Sequence, residues 1–193
     1  TSGNAAKQQT LEIHLGETTT LEVILNAGQL HGVMKLTPSG PVVSGYWRVY
    51  KAEGFDLGER QQVTYSSEAD FTLPGGRYVI EAASGNAAQQ ETVEVHPGET
   101  TKLEIVLNAG QLRGTAKLTT GGAEVSGYWR VLKAEGYELG ERQQVAYSSE
   151  AQFTLPAGRY IVEVERDNTK GQAEVTVQAG EVSKVNIILG AAS

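Results

Sequence analysis

Apolar and polar residues alternate along most of the chain, and clusters of glycine, proline and small polar residues interrupt the alternation about every ten residues. Residues 8–26 contain two apolar runs separated by Gly16-Glu17, which predicts a β-hairpin. Its alternating apolar positions are Leu11, Ile13, Leu15, Leu21, Val23 and Leu25. The same pattern recurs over residues 91–108 and 173–189. No window has helical periodicity, so the pattern predicts an all-β sandwich protein.

An internal repeat divides the chain. The octapeptide Ser44–Lys51 returns as Ser126–Lys133 with Leu132 in place of Tyr50, an offset of 126 − 44 = 82 residues. Two further segments keep this offset: Asn26–Leu30 with Asn108–Leu112, and Phe71–Pro74 with Phe153–Pro156. We therefore predict tandem Ig-like β-sandwich domains arranged end to end, over residues 27–108 and 109–193. Residues 1–26 are predicted to be the closing β-hairpin of a preceding repeat.

The repeated octapeptide also supplies the candidate site. Trp47 and Val49 alternate with the residues around them, so we expect these two side chains to fill the core together with Phe71 and Leu73. The outward-facing set is then Tyr46, Arg48 and Tyr50, with Tyr128 and Arg130 in the second copy. Exposed tyrosine beside arginine suits sugar stacking or a protein contact. The alternative is that these side chains only stabilise the sheet through cross-strand pairing.

Composition excludes several classes of function. The 193 residues carry 16 Lys and Arg against 23 Asp and Glu, a net charge of −7, which argues against nucleic acid or an anionic membrane as partner. The chain has no cysteine, so disulfides, thiolate catalysis and cysteine-bound zinc are excluded. No apolar run is long enough to span a membrane. Since Thr1 falls inside a repeat, we expect this sequence to be part of a longer chain.

Two sets of polar residues are candidates for a reactive or metal site. His14 and His96 have no serine or aspartate at a recognisable spacing, so no catalytic triad is predicted. The acidic segments Glu53–Glu59 and Glu135–Glu141 offer oxygen ligands to Ca²⁺, but they lack closely spaced Asp or Asn ligands. A solvated acidic loop is the favoured interpretation. No cofactor and no metal are predicted, and neither is an enzymatic activity.

The second copy carries a resemblance to a known family. It has an opening Gln111–Gly114 strand, the approach Val125–Gly127, the run Phe153–Val162, and a closing hairpin around Gly180. This order resembles prealbumin-like β-sandwiches of the carboxypeptidase regulatory-like and Cna-B types. The resemblance implies a non-enzymatic module of a bacterial envelope or secreted protein, located outside the cell or in the periplasm.

Some Cna-B modules form a Lys-to-Asn isopeptide bond promoted by a buried acid. The resemblance points to Lys35 and Lys117, Asn26 and Asn108, and Glu81 and Glu163 as the matching residues. Strand parity instead directs Lys35 to solvent and places Glu81 on the opposite face from Tyr78. The interpretation as solvated charges is therefore favoured.

Repetition without a conspicuous site predicts a structural spacer whose partners are neighbouring repeats of the same chain. Only residues 108–111 separate the two units, a reach of about 13 Å, so we expect little independent tumbling. A glycan- or protein-binding module is the alternative. For residues 1–26 three outcomes stay open: packing on the first sandwich, pairing with another copy of the chain, or a permuted arrangement in which each hairpin joins the core that follows it.

Overall fold

The computed structural model describes residues 5–53, 56–134, 140 and 142–191, and these consist of strands and turns. No helix occurs among them, which confirms the predicted all-β class. No helix in this part of the chain could cross a membrane. The first seven strands are β1 (Ala27–Lys35), β2 (Gly45–Glu53), β3 (Asp56–Ser66), β4 (Glu68–Pro74), β5 (Gly76–Ser84), β6 (Ala87–Val95) and β7 (Thr100–Val106).

The second half of the chain repeats this series. Its strands are β8 (Ala109–Lys117), β9 (Gly127–Lys133), β10 (Arg142–Ser148), β11 (Glu150–Pro156), β12 (Gly158–Arg166), β13 (Thr169–Val177), β14 (Val182–Ile188) and β15 (Gly190–Ala191).

Each series forms two sheets. The first contains a three-stranded sheet in the order β4-β1-β7 and a four-stranded sheet in the order β3-β2-β5-β6. The second contains β11-β8-β14 and β10-β9-β12-β13-β15. The hairpin β6–β7 therefore closes the core that precedes it in sequence, by adding β7 beside β1 and β6 beside β5. This topology excludes the permuted arrangement for that hairpin.

The first strand of each series is a parallel neighbour of the second strand of the closing hairpin. Strand β14 runs parallel to β8, with Val185 opposite Gly114. In the first series Gln29 N donates to Glu99 O at 2.8 Å, and Leu107 N donates to Lys35 O at 2.9 Å. Strand β7 therefore runs parallel to β1. By contrast, β1 pairs with β4 and β12 pairs with β9 in antiparallel orientation.

The chain also divides into two compact units. One comprises the described residues up to Val33, together with Tyr46–Ala82 and Gln90–Ile105. The other comprises Met34–Gly45, Ala83–Gln89 and the described residues from Val106 onwards. These limits differ from the repeat boundary between residues 108 and 109, which stays a prediction.

Strand parity directs the same residues into both cores. Leu30 pairs with Phe71 across β1 and β4, and Leu112 pairs with Phe153 in the equivalent register. Trp47, Val49, Phe71 and Leu73 are buried, as the alternation predicted. Fully burying such a side chain contributes about 1.5–3 kcal/mol, so each of these positions adds to the driving force for a small sandwich.

A tryptophan packs directly on a glycine in each core. Trp47 and Trp129 are both 0% exposed. A Cβ placed on Gly32 would lie 2.8 Å from Trp47 Cζ3, and one on Gly114 would lie 2.7 Å from Trp129 Cζ3. The indole N–H groups donate to the carbonyls of Ser66 (3.1 Å) and Ser148 (3.0 Å). The rings thus bury their area without an unsatisfied donor.

A tyrosine fixes the β4–β5 turn in the same way in both copies. Tyr78 Oη donates to Pro74 O at 2.9 Å, and Tyr160 Oη donates to Pro156 O at 2.9 Å. Both rings are buried. A buried tyrosine bonded to backbone a few residues upstream is a recurrent corner device of β-sandwiches. Burial raises the pKa of Tyr78 above its ordinary value of 10.0.

The predicted hairpin over residues 8–26 is not formed in the structure. Residues 5–26 contain no strand, and only a turn at Leu15-Gly16 is present. The physical reason is that the strands with which the equivalent hairpin β6–β7 pairs are occupied: β1 already lies between β4 and β7, and β5 lies between β2 and β6. An isolated two-stranded hairpin is marginally stable in water.

Replacing Gly32 by Ala tests the contact with Trp47. A glycine-to-alanine change inside a strand normally stabilises by about 0.5–1 kcal/mol, but here the added Cβ would overlap the ring. We expect a loss of about 1–3 kcal/mol in the free energy of unfolding, measured by urea denaturation. In a Trp47→Leu background the cost should shrink, because the smaller side chain leaves room. Equal costs in both backgrounds would contradict the contact.

Replacing Tyr78 by Phe should change the pH dependence of stability. The unfolded chain loses this tyrosine proton near pH 10 while the folded chain retains it, so the free energy of unfolding should fall as the pH rises above about 10. Phenylalanine should reduce that fall and cost about 0.5–1.5 kcal/mol at neutral pH, because the bond to Pro74 is lost. Urea denaturation at several pH values measures both effects. An unchanged alkaline slope would show that Tyr78 ionises freely in the folded chain.

Candidate functional site

The candidate site is the solvent-facing side of the β3-β2-β5-β6 sheet and of its counterpart in the second half. Because Trp47 and Val49 point into the core, the residues that alternate with them on β2 point outward. We call this surface the outer tyrosine face. In the first copy it consists of Tyr46, Arg48, Tyr65, Glu81 and Gln90, and in the second of Tyr128, Arg130, Tyr147, Glu163 and Glu165.

In the first copy these side chains form one continuous row across four strands. Gln90 Nε2 donates to Glu81 Oε2 at 3.0 Å, and Arg48 Nη1 donates to Glu81 Oε1. The Arg48 Cζ atom lies 5.8 Å from the centre of the Tyr46 ring, within cation–π distance. The Tyr46 and Tyr65 rings meet edge to face, 4.9 Å apart at an interplanar angle of 71°. The row therefore runs from Gln90 through the Glu81–Arg48 ion pair to the two exposed rings of Tyr46 and Tyr65.

The second copy keeps the row with a different acid arrangement. Arg130 Cζ lies 5.9 Å from the Tyr128 ring centre. Its Nε atom is 3.2 Å from Glu163 Oε2, and its Nη2 atom donates to Glu165 Oε2 at 3.1 Å. Lys170 Nζ lies 3.6 Å from Glu165 Oε2. Tyr147 is directly opposite Tyr128 in the β10–β9 register.

The predicted site residues lie together on this face, with different degrees of exposure. Tyr46 is 51% exposed and Tyr128 is 38% exposed, whereas Arg48 and Arg130 are half-buried. Tyr50 is also half-buried, and Leu132 takes its place in the second copy. The aromatic rings are therefore the accessible part of the site, and the arginines are held beneath the surface by carboxylates.

Sequence reasoning did not assign Tyr65 and Tyr147 to the site. They are 63% and 74% exposed, more than the tyrosines that were assigned. The signal was present in the β3 pattern, since Tyr65 follows Val63 with period-two spacing. Recognising it required the β2–β3 register, which brings these residues opposite Tyr46 and Tyr128.

The other candidate residues do not converge on this face. His31 Nδ1 and Asp70 Oδ1 form an exposed pair at 2.8 Å between neighbouring strands. Among the described residues no group of three or more His, Asp or Glu side chains is arranged to hold a metal ion. Of the two acidic segments considered for Ca²⁺, residues 135–141 lie outside the described residues except for residue 140. In the other segment Glu53 ends β2 and residues 56–59 begin β3, so the predicted loop is wrong there. Binding of Ca²⁺ stays an expectation.

The residues matched to isopeptide chemistry have other roles. Glu81 lies on the outer face with Arg48, on the opposite side of the sheet from the buried Tyr78. Asn26 and Asn108 adopt left-handed conformations, with φ of 49° and 50°. Their carbonyls accept bonds from Gly75 N (2.9 Å) and Ala157 N (3.0 Å). These asparagines therefore turn the backbone into β1 and β8.

The face has the features of a contact surface. Tyrosine rings offer large, rigid apolar area with a polar tip, and a fixed arginine adds hydrogen-bond donors beside them. The half-buried ion pairs hold the arginine geometry and contribute little net stability. Such a surface can stack on a sugar ring or anchor a protein side chain.

Neither a protein-family model nor a curated protein sequence matches the chain. Among solved structures it is similar to the Bacillus anthracis TIE protein, at 16% identity over 85% of this chain and 34% of that chain, with a TM-score of 0.37. It is also similar to GBS52, the minor pilin of Streptococcus agalactiae, at 14% identity over 85% of this chain and 96% of that one, with a TM-score of 0.41.

A third similar structure is the shaft pilin SpaA of Lactobacillus rhamnosus GG, at 9% identity over 87% of this chain and 98% of that chain, with a TM-score of 0.42. The chain thus spans about a third of the TIE protein and nearly all of the two pilins. All three TM-scores are below 0.5, so the architecture is defined by the strands and sheets of the chain itself.

The Tyr46–Tyr65 contact is testable by a double-mutant cycle. We expect Tyr46→Ala and Tyr65→Ala to cost less together than the sum of the single changes, with a coupling of about 0.5–1.5 kcal/mol from the edge-to-face contact. Urea denaturation of the two single variants and the double variant gives the value. Pairing Tyr65→Ala with Tyr147→Ala, on different copies of the face, supplies the uncoupled control. Strict additivity for Tyr46 and Tyr65 would show that the rings do not stabilise one another.

Proposed function

We propose that this chain is a non-enzymatic structural spacer, formed by tandem β-sandwich repeats of a larger bacterial surface or secreted protein. The observation that carries the proposal is that the same three packing contacts recur in both cores. Both copies pack a tryptophan on a glycine, bond a tyrosine to a proline carbonyl and pair a leucine with a phenylalanine in the same register.

Repetition of a core favours a role that depends on the number of units. In arrays of this kind each repeat contacts only its neighbours, so adding a repeat adds length without altering the others. The outer faces of the two copies differ in their acids and at Tyr50, while the tryptophan–glycine, tyrosine–proline and leucine–phenylalanine contacts of the cores recur. This distribution supports selection for a stable unit. The resemblance of the repeats to prealbumin-like modules supports a location outside the cell or in the envelope.

A second function, contact with a glycan or a protein through the outer tyrosine face, is favoured by the exposed ring pairs. Tyr65 and Tyr147 project from both copies beside a tyrosine whose arginine neighbour is fixed by carboxylates. Surfaces used only for cross-strand stabilisation need no such exposure. The two functions are compatible, because a spacer can carry a low-affinity contact on each unit.

The spacer proposal predicts a regular increase in length. Inserting one additional copy of residues 27–108 should raise the maximum dimension measured by small-angle X-ray scattering by about 30 Å, the length of a nine-residue strand. A second insertion should add the same amount. A compact arrangement would instead grow with roughly the 0.4 power of chain length, and that result would contradict the proposal.

The binding function has its own test. Any glycan or protein captured by the chain should be lost when Tyr46, Tyr65, Tyr128 and Tyr147 are all replaced by Ala, because the accessible rings of both copies are then removed. Tyr50→Leu is the matched control, since the second copy already has leucine at this position. Retention of binding by the variant with all four alanines would exclude the outer tyrosine face.

A further inference from the structure

The sequence of residues 5–25 occurs again, folded, at residues 87–107. With the offset of 82, 13 of these 21 positions are identical. Most of the remaining apolar differences conserve hydrophobicity, such as Ile13 for Val95 and Val23 for Ile105. Residues 87–107 form β6 and β7 and complete a sandwich, whereas residues 5–25 contain no strand. Nearly the same sequence therefore exists in two structural states in one molecule.

The turn of this hairpin is already formed in residues 5–25. Glu17 N donates to His14 O at 3.2 Å, and the equivalent bonds from Glu99 to His96 and from Glu181 to Gln178 are also 3.2 Å. The turn glycines have matching φ angles of 83° at Gly16, 78° at Gly98 and 79° at Gly180. Such angles suit glycine in a tight turn. The segment thus carries the hairpin geometry at its centre and lacks only the strand pairing on either side.

The apolar face of the segment is exposed where its counterparts are buried. Ile13 is 75% exposed, against 1% for Val95. Leu25 is 49% exposed, against 2% for Leu107. An uncovered row of this kind marks an interaction surface. The buried counterparts show what covers it: a core made of strands equivalent to β1–β5.

We infer that residues 5–25 are a closing hairpin for a further repeat, and that their partner is a five-stranded core of the kind that β1–β5 form. The hairpin adds one strand beside the equivalent of β1, in parallel, and one beside the equivalent of β5. This inference goes beyond the spacer function, because it depends on strand complementarity alone. The exposed apolar row is the part that the hairpin contributes to the core of that further repeat.

A glycine at the start of β1 makes the interface selective. A Cβ on Gly28 would lie 2.2 Å from His96 O, and one on Gly110 would lie 2.1 Å from Gln178 O. The hairpin turn therefore approaches the backbone of its core at a position that only glycine allows. His14 O would take the same place on the further core. A sheet edge with any residue other than glycine at this position could not bind the hairpin turn, because its Cβ would overlap the carbonyl oxygen.

The test supplies the missing core to the full chain. Residues 27–83 are duplicated ahead of Ser2, so that Ala83 joins Ser2 as it joins Ser84 in the natural repeat. Amide hydrogen exchange is followed by mass spectrometry. In the original chain we expect residues 11–25 to exchange rapidly. In the extended chain they should be protected by at least about 100-fold, as β6 and β7 are, since strands in a closed sandwich open rarely.

Two substitutions test whether docking of the hairpin on the added core causes the protection. Val23→Asp should leave the melting temperature of the original chain unchanged, and in the extended chain it should abolish the protection and unfold the added core. Gly28→Leu in the added copy should prevent docking of the hairpin without changing residues 5–25. Protection that survives both changes would overturn the inference.

A second extension controls for folding of the added core. Duplicating residues 27–107 ahead of Thr1 gives that core its own hairpin, so residues 5–25 should stay unprotected. If this longer extension folds while the 27–83 extension does not, residues 5–25 cannot close a core and the inference is wrong. Protection of residues 5–25 in the original chain that rises with protein concentration would also overturn it, because the partner would then be a complete second copy.

Discussion

Each sandwich depends on the flat contact between a tryptophan ring of one sheet and a glycine of the other. The ring is the largest side chain in the core and is fully buried, so its packing sets the separation of the two sheets. The contact needs a position without a Cβ, and the indole N–H needs a carbonyl at the end of β3 or β10. Because the Trp47 side chain points into the core, alternation along β2 places the Tyr46 and Arg48 side chains on the outer face. The candidate site is therefore a consequence of the core.

The strands were predictable because buried and exposed side chains alternate along a half-buried strand. The internal repeat also showed the same alternation twice. The burial of Trp47, Val49, Phe71 and Leu73 followed from alternation alone. Residues 5–26 show the limit of this reasoning. Their alternation is as clear as that of residues 91–107, but a pattern reports a preference for pairing and carries no information on whether an edge is free. The occupancy of β1 by β4 and β7 is a property of the whole topology.

The site was predictable only in part, for a related reason. The arginine–tyrosine spacing on β2 follows from one strand and was read from sequence. The acids opposite the arginine come from β5 and β12, which are distant in sequence. Arg130 lies directly opposite Glu163, and that register depends on a connection which skips two strands. Tyr65 and Tyr147 were missed for the same reason, since their place beside Tyr46 and Tyr128 is fixed by pairing between strands.

The parallel arrangement of β1 with β7, and of β8 with β14, has a mechanical consequence. The chain enters each sandwich at the start of β1 or β8, and the closing hairpin ends with β7 or β14, which is hydrogen-bonded side by side with that first strand. Tension on the two ends pulls such strands past one another along their length. All the bonds of the ladder then bear the load together, in shear, and none opens until many open at once. An antiparallel pair of terminal strands would unzip one bond at a time under a much smaller force. A chain of these units would therefore resist stretching through the same ladder that closes each core.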